Sequence, residues 1–387
     1  MKNNLLLEKH KLAYHPETLT KFYNEEIFPP INVEIAPTAR CNQKCVMCYT
    51  DYVMNSDYSP NRMQDGLIFK VIKDCADFGV KSIVLSGTGE SLLHPEVPKA
   101  ISYAKSLGLE ISLVSNGVLG TKEKIGNCLG DLTWIRFSMS GGTPETYAIN
   151  QYQSDKIIYH KYFHQVIKNL TDLAEIKKIK DLKTTIGVAY FLFPNCSNEI
   201  FDFVKIIKET GIDYIQIKPC GDFKKNSYVY DKTTYKNKIQ QLNKAANLSD
   251  DTFYCQIKEE GFDRLSDIDD KGGWENLNDD DATYFLPAKC WGLKFLAYVG
   301  ADGNVYTCAG SWYEEKDCYG SLKNNTLEEI WESERFKQVF SKRSKTAHEL
   351  CFTQCHNISM NKYLMDLKDS DGKIVTPSNP PDHINFI

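Results

Sequence analysis

A chain of 387 residues with 42% apolar side chains is long enough for one large α/β domain and a smaller companion. Its formal charge of −5 and the lack of any long basic run argue against a nucleic-acid partner. No stretch approaches the roughly 18 consecutive apolar residues of a membrane span, and the opening MKNNLLLEKHKLAYHPE has no signal-peptide core or cleavage site, so a cytoplasmic, membrane-free protein is expected. There, thirteen cysteines read as metal ligands or buried thiols rather than disulfides.

Residues 1–30 read as an amphipathic lead-in that stops at Pro29-Pro30. The stretch NVEIAP (32–37) predicts a strand that delivers the chain to Cys41. A helix is predicted over about 63–79, stopped by Gly79. Strands follow at 81–87, 109–117, 133–141, 183–193 and 213–219, with helices at 95–107, 156–179 and 198–210 between them. Alternating helices and near-continuous β-branched runs are the pattern of a parallel sheet. Six such units over 31–221 predict a partial (β/α)6 barrel, whose chemistry sits at the C-terminal ends of its strands. Cys41, Ser86–Glu90, Ser115–Gly117, Ser138–Gly142 and Lys218-Pro219 all fall at such ends. The aspartate-rich stretch 222–285 reads as a linker or cap, 286–358 as a small α+β domain, and 359–387 as a tail.

The stretch C-N-Q-K-C-V-M-C places Cys41, Cys45 and Cys48 at spacing C-x3-C-x2-C. A structural zinc site closes with four ligands. Three thiols on a short loop fit three corners of a [4Fe–4S] cluster and leave one iron open. From the cysteines alone, zinc or incidental thiols stay open as alternatives.

This triplet after the first barrel strand resembles the radical S-adenosylmethionine (radical SAM) superfamily. Membership implies that the open iron binds S-adenosylmethionine, whose reductive cleavage gives a 5′-deoxyadenosyl radical that takes hydrogen from substrate. S-G-T-G-E-S (86–91) resembles the family's glycine-rich motif, with Gly87 and Gly89 allowing close backbone approach and Glu90 near the methionine amino group. Asn116, Ser138 and Ser140 resemble the family's further cofactor contacts. Met47 stands where the family usually has an aromatic residue, and Tyr49 is the candidate to replace it.

A second set comprises Cys290, Cys308, Cys351 and Cys355. A-D-G-N (301–304) between apolar runs predicts a hairpin. A helix is predicted over 326–340, opened by a Thr326/Glu329 capping box. Four thiols in this layout resemble the single-cluster "Twitch" form of the SPASM subdomain, which implies one auxiliary [4Fe–4S] cluster suited to electron transfer. Structural zinc is the alternative, with Cys318 and His356 as spare ligands.

The layout further resembles the group of the aminocyclitol dehydrogenase, with H-P-E at 15–17 and I-K-P at 217–219. That resemblance implies oxidation or epimerisation of a sugar, aminocyclitol or similar polar small molecule, with a flavodoxin- or ferredoxin-type reductant. Tyr190, Lys218 and Cys220 are the candidate catalytic side chains at the rim. Peptide or protein maturation is the alternative. A thirty-residue lead-in is short for the leader-binding domain that peptide maturases often carry.

Overall fold

The computed structural model describes residues 10–54, 61–222, 227–228, 238–258, 289–345, 355, 357–370 and 372–387. Strands β1 (Asn32–Ile35), β2 (Ser82–Leu85), β3 (Glu110–Ser115), β4 (Trp134–Met139), β5 (Thr185–Leu192) and β6 (Tyr214–Pro219) each pair in parallel with the next. This is the expected partial barrel. Along β4 the alternation is plain: Ile135, Phe137 and Met139 are buried in the main apolar core, while Trp134, Arg136 and Ser138 face the other way, into the lumen. The helices packed outside are α2 (Leu67–Phe78), α3 (Val97–Ser106), α4 (Pro144–Tyr152), α5 (His160–Ile179) and α6 (Ile200–Glu209), and α1 (Pro16–Tyr23) precedes them. Gly79 closes α2 at φ +96°, a conformation that favours glycine.

The sheet is wider than six strands. Inside the stretch read as a linker, α7 (Ile239–Ala246) leads to β7 (Tyr254–Ile257), which pairs in parallel with β6. Its apolar signal is only F-Y-C-Q-I, and the aspartates around it hid a strand that needs one buried face alone. Most of the remaining stretch, including 259–285, lies outside the described residues. At the opposite edge, β8 (Leu296–Val299) pairs in parallel with β1, followed by antiparallel β9 (Asn304–Tyr306) and β10 (Cys318–Ser321). The expected hairpin is there, with Gly303 at φ +76° in its turn. It does not stand apart, however, and continues the barrel sheet to give ten strands in the order β10-β9-β8-β1-β2-β3-β4-β5-β6-β7.

Two helix expectations change. The run 326–340 is two helices, α8 (Leu327–Glu332) and α9 (Glu334–Lys345). Ser333 breaks it by adopting extended backbone and capping the next turn, its Oγ accepting from Phe336 N–H at 3.0 Å. The Thr326/Glu329 box opens α8 as expected. Helix α4 was missed, although Thr143 caps it and Pro144 sits at its first position.

The tail is also structured. After α10 (Asn357–Asp369), residues 379–387 lie across the N-terminal end of the barrel. Ser82 Oγ donates to the Asn385 carbonyl at 2.6 Å, Asn385 Nδ2 donates to Glu110 at 2.8 Å, and Phe386 meets Trp134 edge-on at 5.4 Å. Thr185 and His383 share a hydrogen bond of 2.9 Å. Those partners are the first residues of β2 to β5, so the tail caps the end opposite the cysteine loop. The H-P-E lead-in holds it from the other side, with His15 Nε2 at 2.9 Å from the Ile384 carbonyl.

Candidate active site

The chain leaves β1 through Ala36–Arg40 and turns into the cysteine loop. The motif after β2 packs flush against this exit. A Cβ on Gly87 would meet that of Ala36 at 2.3 Å, and one on Gly89 would meet the Arg40 carbonyl at 2.3 Å. These glycines thus let two strand ends touch. The loop itself is pinned to α4. Lys44 N–H donates to the Gln151 carbonyl at 3.0 Å and Val46 N–H to that of Asn150 at 2.9 Å. Buried Gln43 donates to Tyr147 and Tyr152 hydroxyls at 2.9 and 3.3 Å and accepts from Gln151 Nε2 at 2.9 Å. Nothing in the sequence marked Gln43, whose partners on α4 lie over a hundred residues away.

The three thiols of this loop feel one another. Burial pushes the Cys41 thiol up to about 11, with nearby Glu90 and Cys48 adding to the shift. Burial raises Cys45 further, with Cys41 and Cys48 contributing. Among the described residues, no three histidine, cysteine or acidic side chains gather round a single point as for one metal ion.

Glu90 is 2% exposed and braces the rim. Its Oε1 accepts from Ser115 Oγ at 2.9 Å and Leu92 N–H at 3.1 Å, and its Oε2 from Asn116 N–H at 2.7 Å. Its own N–H donates to the Arg40 carbonyl at 2.9 Å. Burial raises its pKa, opposed by the hydrogen bonds from Asn116, Leu92 and Ser115. One residue therefore ties three elements together: its backbone N–H reaches the exit toward the cysteine loop, and its carboxylate joins the glycine motif to the end of β3. Asn116 is held so that its Nδ2 lies 3.8 Å from Cys41 Sγ and donates to Asn42 at 2.6 Å. In Glu90→Gln an amide NH2 faces one of these donors, leaving a buried group unsatisfied. The expected cost is about 1–3 kcal/mol, read as a lower denaturation midpoint; an unchanged midpoint would show that the brace carries no stability.

Other expected residues fare differently. Ser138 faces the lumen, and Ser140 is buried with its carbonyl bonded to Asn150. Lys218 lies on the lumen face of β6, its Nζ 5.8 Å from the Phe191 ring centre. Tyr190 does not face the lumen. It lies on the core side of β5, fully buried, its ring 4.6 Å from Phe203 of α6 and its hydroxyl donating to the Cys196 carbonyl at 3.5 Å. The period of two puts Tyr190 on the same face as Val188, away from substrate. Cys220 is 3% exposed and belongs to the main apolar cluster, so its thiol is not offered to the mouth. Tyr49 packs with the second apolar cluster, which includes Trp312, toward the C-terminal region. Two lumen residues escaped sequence reading: Glu34 on β1 and Arg136 on β4. Burial pushes the Glu34 carboxyl up to about 7, against a hydrogen bond from Ser86 and the nearby Arg136 charge.

The second thiol set is furnished with donors. Asn361 Nδ2 of α10 donates to Cys290 Sγ at 3.3 Å. Cys308 Sγ has Ser311 Oγ at 3.5 Å and Arg343 Nη2 at 3.9 Å. Burial pushes the Cys290 thiol up to about 11, with Cys308 contributing. Cys355 precedes α10, while Cys351 and His356 lie outside the described residues. Cys318 sits on β10 with its Sγ toward the Gly320 carbonyl at 3.6 Å, in the second apolar cluster. A neutral thiol gains little from an amide and a guanidinium; a thiolate bound to iron gains much. Both sets fit iron–sulfur clusters on this ground: the first with three thiols and an amide donor at Cys41, the second with donors at Cys290 and Cys308.

The comparisons agree. Residues 35–204 match the family model of the Radical SAM superfamily, and residues 290–356 match SPASM, an iron–sulfur cluster-binding domain. A probable GTP 3′,8-cyclase of Methanothermobacter marburgensis is 26% identical over 222 residues, covering 55% of this chain and 67% of that protein. An S-adenosylmethionine-dependent nucleotide dehydratase of Flammeovirga pacifica is 22% identical over 200 residues, covering 50% of this chain and 64% of that protein. Streptococcus suis SuiB bound to its precursor peptide SuiA superposes with a TM-score of 0.59 at 13% identity, over 95% of this chain and 79% of that one, a likeness of fold. No described helix is long and apolar enough to cross a membrane. The chain belongs to the radical SAM superfamily: it is a radical SAM enzyme with a SPASM iron–sulfur domain, and its cofactors are a [4Fe–4S] cluster, S-adenosylmethionine and an auxiliary cluster.

Proposed function

We propose that this enzyme oxidises or epimerises a polar small molecule of the sugar, aminocyclitol or nucleotide kind. The carrying observation is the lumen: Glu34, Arg136, Ser138, Gln216 and Lys218 give it charged and hydrogen-bonding walls. The printed activities of the cyclase and dehydratase relatives concern nucleotides, which are sugar derivatives. In this reading Cys41, Cys45 and Cys48 hold the catalytic cluster, and Cys290, Cys308, Cys351 and Cys355 the auxiliary one. Gly87, Gly89, Glu90, Asn116, Ser138 and Ser140 frame the S-adenosylmethionine pocket.

When bound and reduced, the cluster and S-adenosylmethionine supply the radical that removes hydrogen from substrate. The chain does the rest. Asn116 directs an N–H at Cys41, and the α4 contacts fix the loop that presents the thiols. Glu34 is the proton acceptor a two-electron oxidation needs, with a pKa near the working range. Tyr190 and Cys220 have no part in it. A flavodoxin- or ferredoxin-type protein supplies the reducing electron.

The test is anaerobic incubation with S-adenosylmethionine and dithionite against two panels. One holds nucleotides, sugar phosphates and aminocyclitols; the other holds peptides. Faster 5′-deoxyadenosine formation with a member of the first panel is expected. Acceleration by peptides alone would replace this reading with peptide maturation.

A further inference from the structure

The Cys48 thiol has a neighbour that the cysteine spacing does not explain. Thr50 is 2% exposed, and its Oγ1 lies 3.3 Å from Cys48 Sγ. The same hydroxyl donates to the Thr88 carbonyl of the glycine motif at 3.3 Å. A threonine hydroxyl carries one proton and can also accept. With Cys48 as a neutral thiol both contacts are met: the S–H donates to Thr50, and Thr50 donates to Thr88. A sulfur that holds iron is a thiolate and can only accept. The single Thr50 proton then has two acceptors, and the charged one makes the stronger bond. The proton is drawn to the sulfur at the cost of its bond to the neutral carbonyl.

Thr88 is held in turn from the SPASM segment. It is 1% exposed, and its Oγ1 lies 3.2 Å from the Tyr313 hydroxyl. That phenol oxygen accepts from Ala301 N–H at 3.1 Å, which leaves the phenol proton for Thr88. Tyr313 adopts φ +63°, a left-handed conformation that residues other than glycine seldom take. Its ring is steadied by that of Tyr306 at 5.7 Å. A run of contacts thus links Ala301, Tyr313, Thr88, Thr50 and Cys48. It begins in the SPASM match and ends on a thiol of the radical SAM match. Thr88 and Tyr313 are 225 positions apart, so the link exists only when the two segments fold together.

We propose that Thr50 is a positioning residue that donates to the Cys48 thiolate and raises the reduction potential of the catalytic cluster, and that Tyr313 holds it there through Thr88. The inference deepens the proposed function and rests on its assignment of Cys48 as a cluster ligand. A hydrogen bond to a cluster sulfur favours the reduced, more negative state. It therefore eases the electron uptake that S-adenosylmethionine cleavage requires. The SPASM segment thereby acts on the first cluster as well as holding the second.

The test is a redox titration of the cluster-loaded full chain followed by electron paramagnetic resonance. The signal read is the one that S-adenosylmethionine perturbs, since the open iron belongs to the catalytic cluster. In Thr50→Val, reduction should be about tenfold less favourable, about 59 mV lower for one electron, with about eight irons kept. Thr50→Ser should restore the wild-type potential. Tyr313→Phe should shift it the same way by less, and Thr50→Val with Tyr313→Phe no further than Thr50→Val alone. A wild-type potential in Thr50→Val, or an equal shift in Thr50→Ser, would overturn the donor. Where valine does not load, Thr50→Ala takes its place; iron lost from both but kept by serine would make Thr50 a brace of the loop and sink the tuning. Additive shifts in the double variant would remove Tyr313 from the account. The wild type is scored separately for a perturbed signal and for 5′-deoxyadenosine: lack of both overturns the ligand assignment itself, whereas their presence with unshifted variants overturns the tuning alone.

Discussion

The variant Cys41→Ala, Cys45→Ala, Cys48→Ala is expected to keep about four of the about eight irons that two four-iron clusters contain, and to form no detectable 5′-deoxyadenosine. The loss should be complete because the thiols are the only attachment the proposal gives the catalytic cluster. It should not reflect unfolding. The loop is fixed by Gln43 and by the Lys44 and Val46 backbone bonds to α4, none of which uses a cysteine side chain as its anchor. The thiols are half-buried, and their removal costs little packing. Nor is a replacement set at hand, since Cys75, Cys128, Cys196 and Cys255 are dispersed through the apolar core. Iron counting by metal analysis, product detection by chromatography and a denaturation curve make up the measurement. Retained cleavage would overturn the ligand assignment. Loss of all iron with a normal denaturation midpoint would show that the second thiol set holds no cluster.

The sequence made the barrel legible because its buried strands are short, β-branched and set between amphipathic helices. The cysteine triplet and the Gly87–Glu90 motif were legible because spacing and composition are local properties. What stayed hidden was set by contacts distant in the chain. Strand β7 is a four-residue element whose place depends on β6 offering an edge. Whether β8 would stand alone or join β1 is a matter of register, which no turn signal encodes. The lumen residues are the clearest case. Tyr190 and Lys218 both lie near the ends of strands, and only the phase of the alternation tells which faces substrate. That phase is read from the flanking core residues once helix α6 is seen packing on Tyr190. Glu34 and Arg136 look like ordinary polar breaks in apolar strands until the barrel closes and turns both into one lumen, where the Arg136 charge acts on the Glu34 carboxyl.

Glu34→Gln is expected to lower turnover by about 10²- to 10⁴-fold, the usual worth of a positioned proton acceptor, while making the protein more stable at alkaline pH. Both effects follow from one environment. Burial raises the Glu34 carboxyl to about 7 from its ordinary 4.5, so the folded state holds a proton that the unfolded state has released between those values. With more protons on the folded side, stability falls as pH rises from 4.5 to about 7 and levels off above it. The loss amounts to about 3 kcal/mol. Glutamine cannot ionise, so the variant lacks this slope: the two proteins should have similar midpoints near pH 4.5 and separate by pH 8. Turnover runs the opposite way. The acceptor works only as the carboxylate, so wild-type activity should rise with pH through about 7 and then level off. The variant should be slow and without that step. Denaturation midpoints and turnover at five or six pH values test both halves together. Slow turnover with the wild-type pH step intact would place the proton acceptor elsewhere. A variant less stable at pH 8 would mean that the hydrogen bond from Ser86 and the Arg136 charge outweigh the burial, and Glu34 would then be a structural anion rather than a base poised to act.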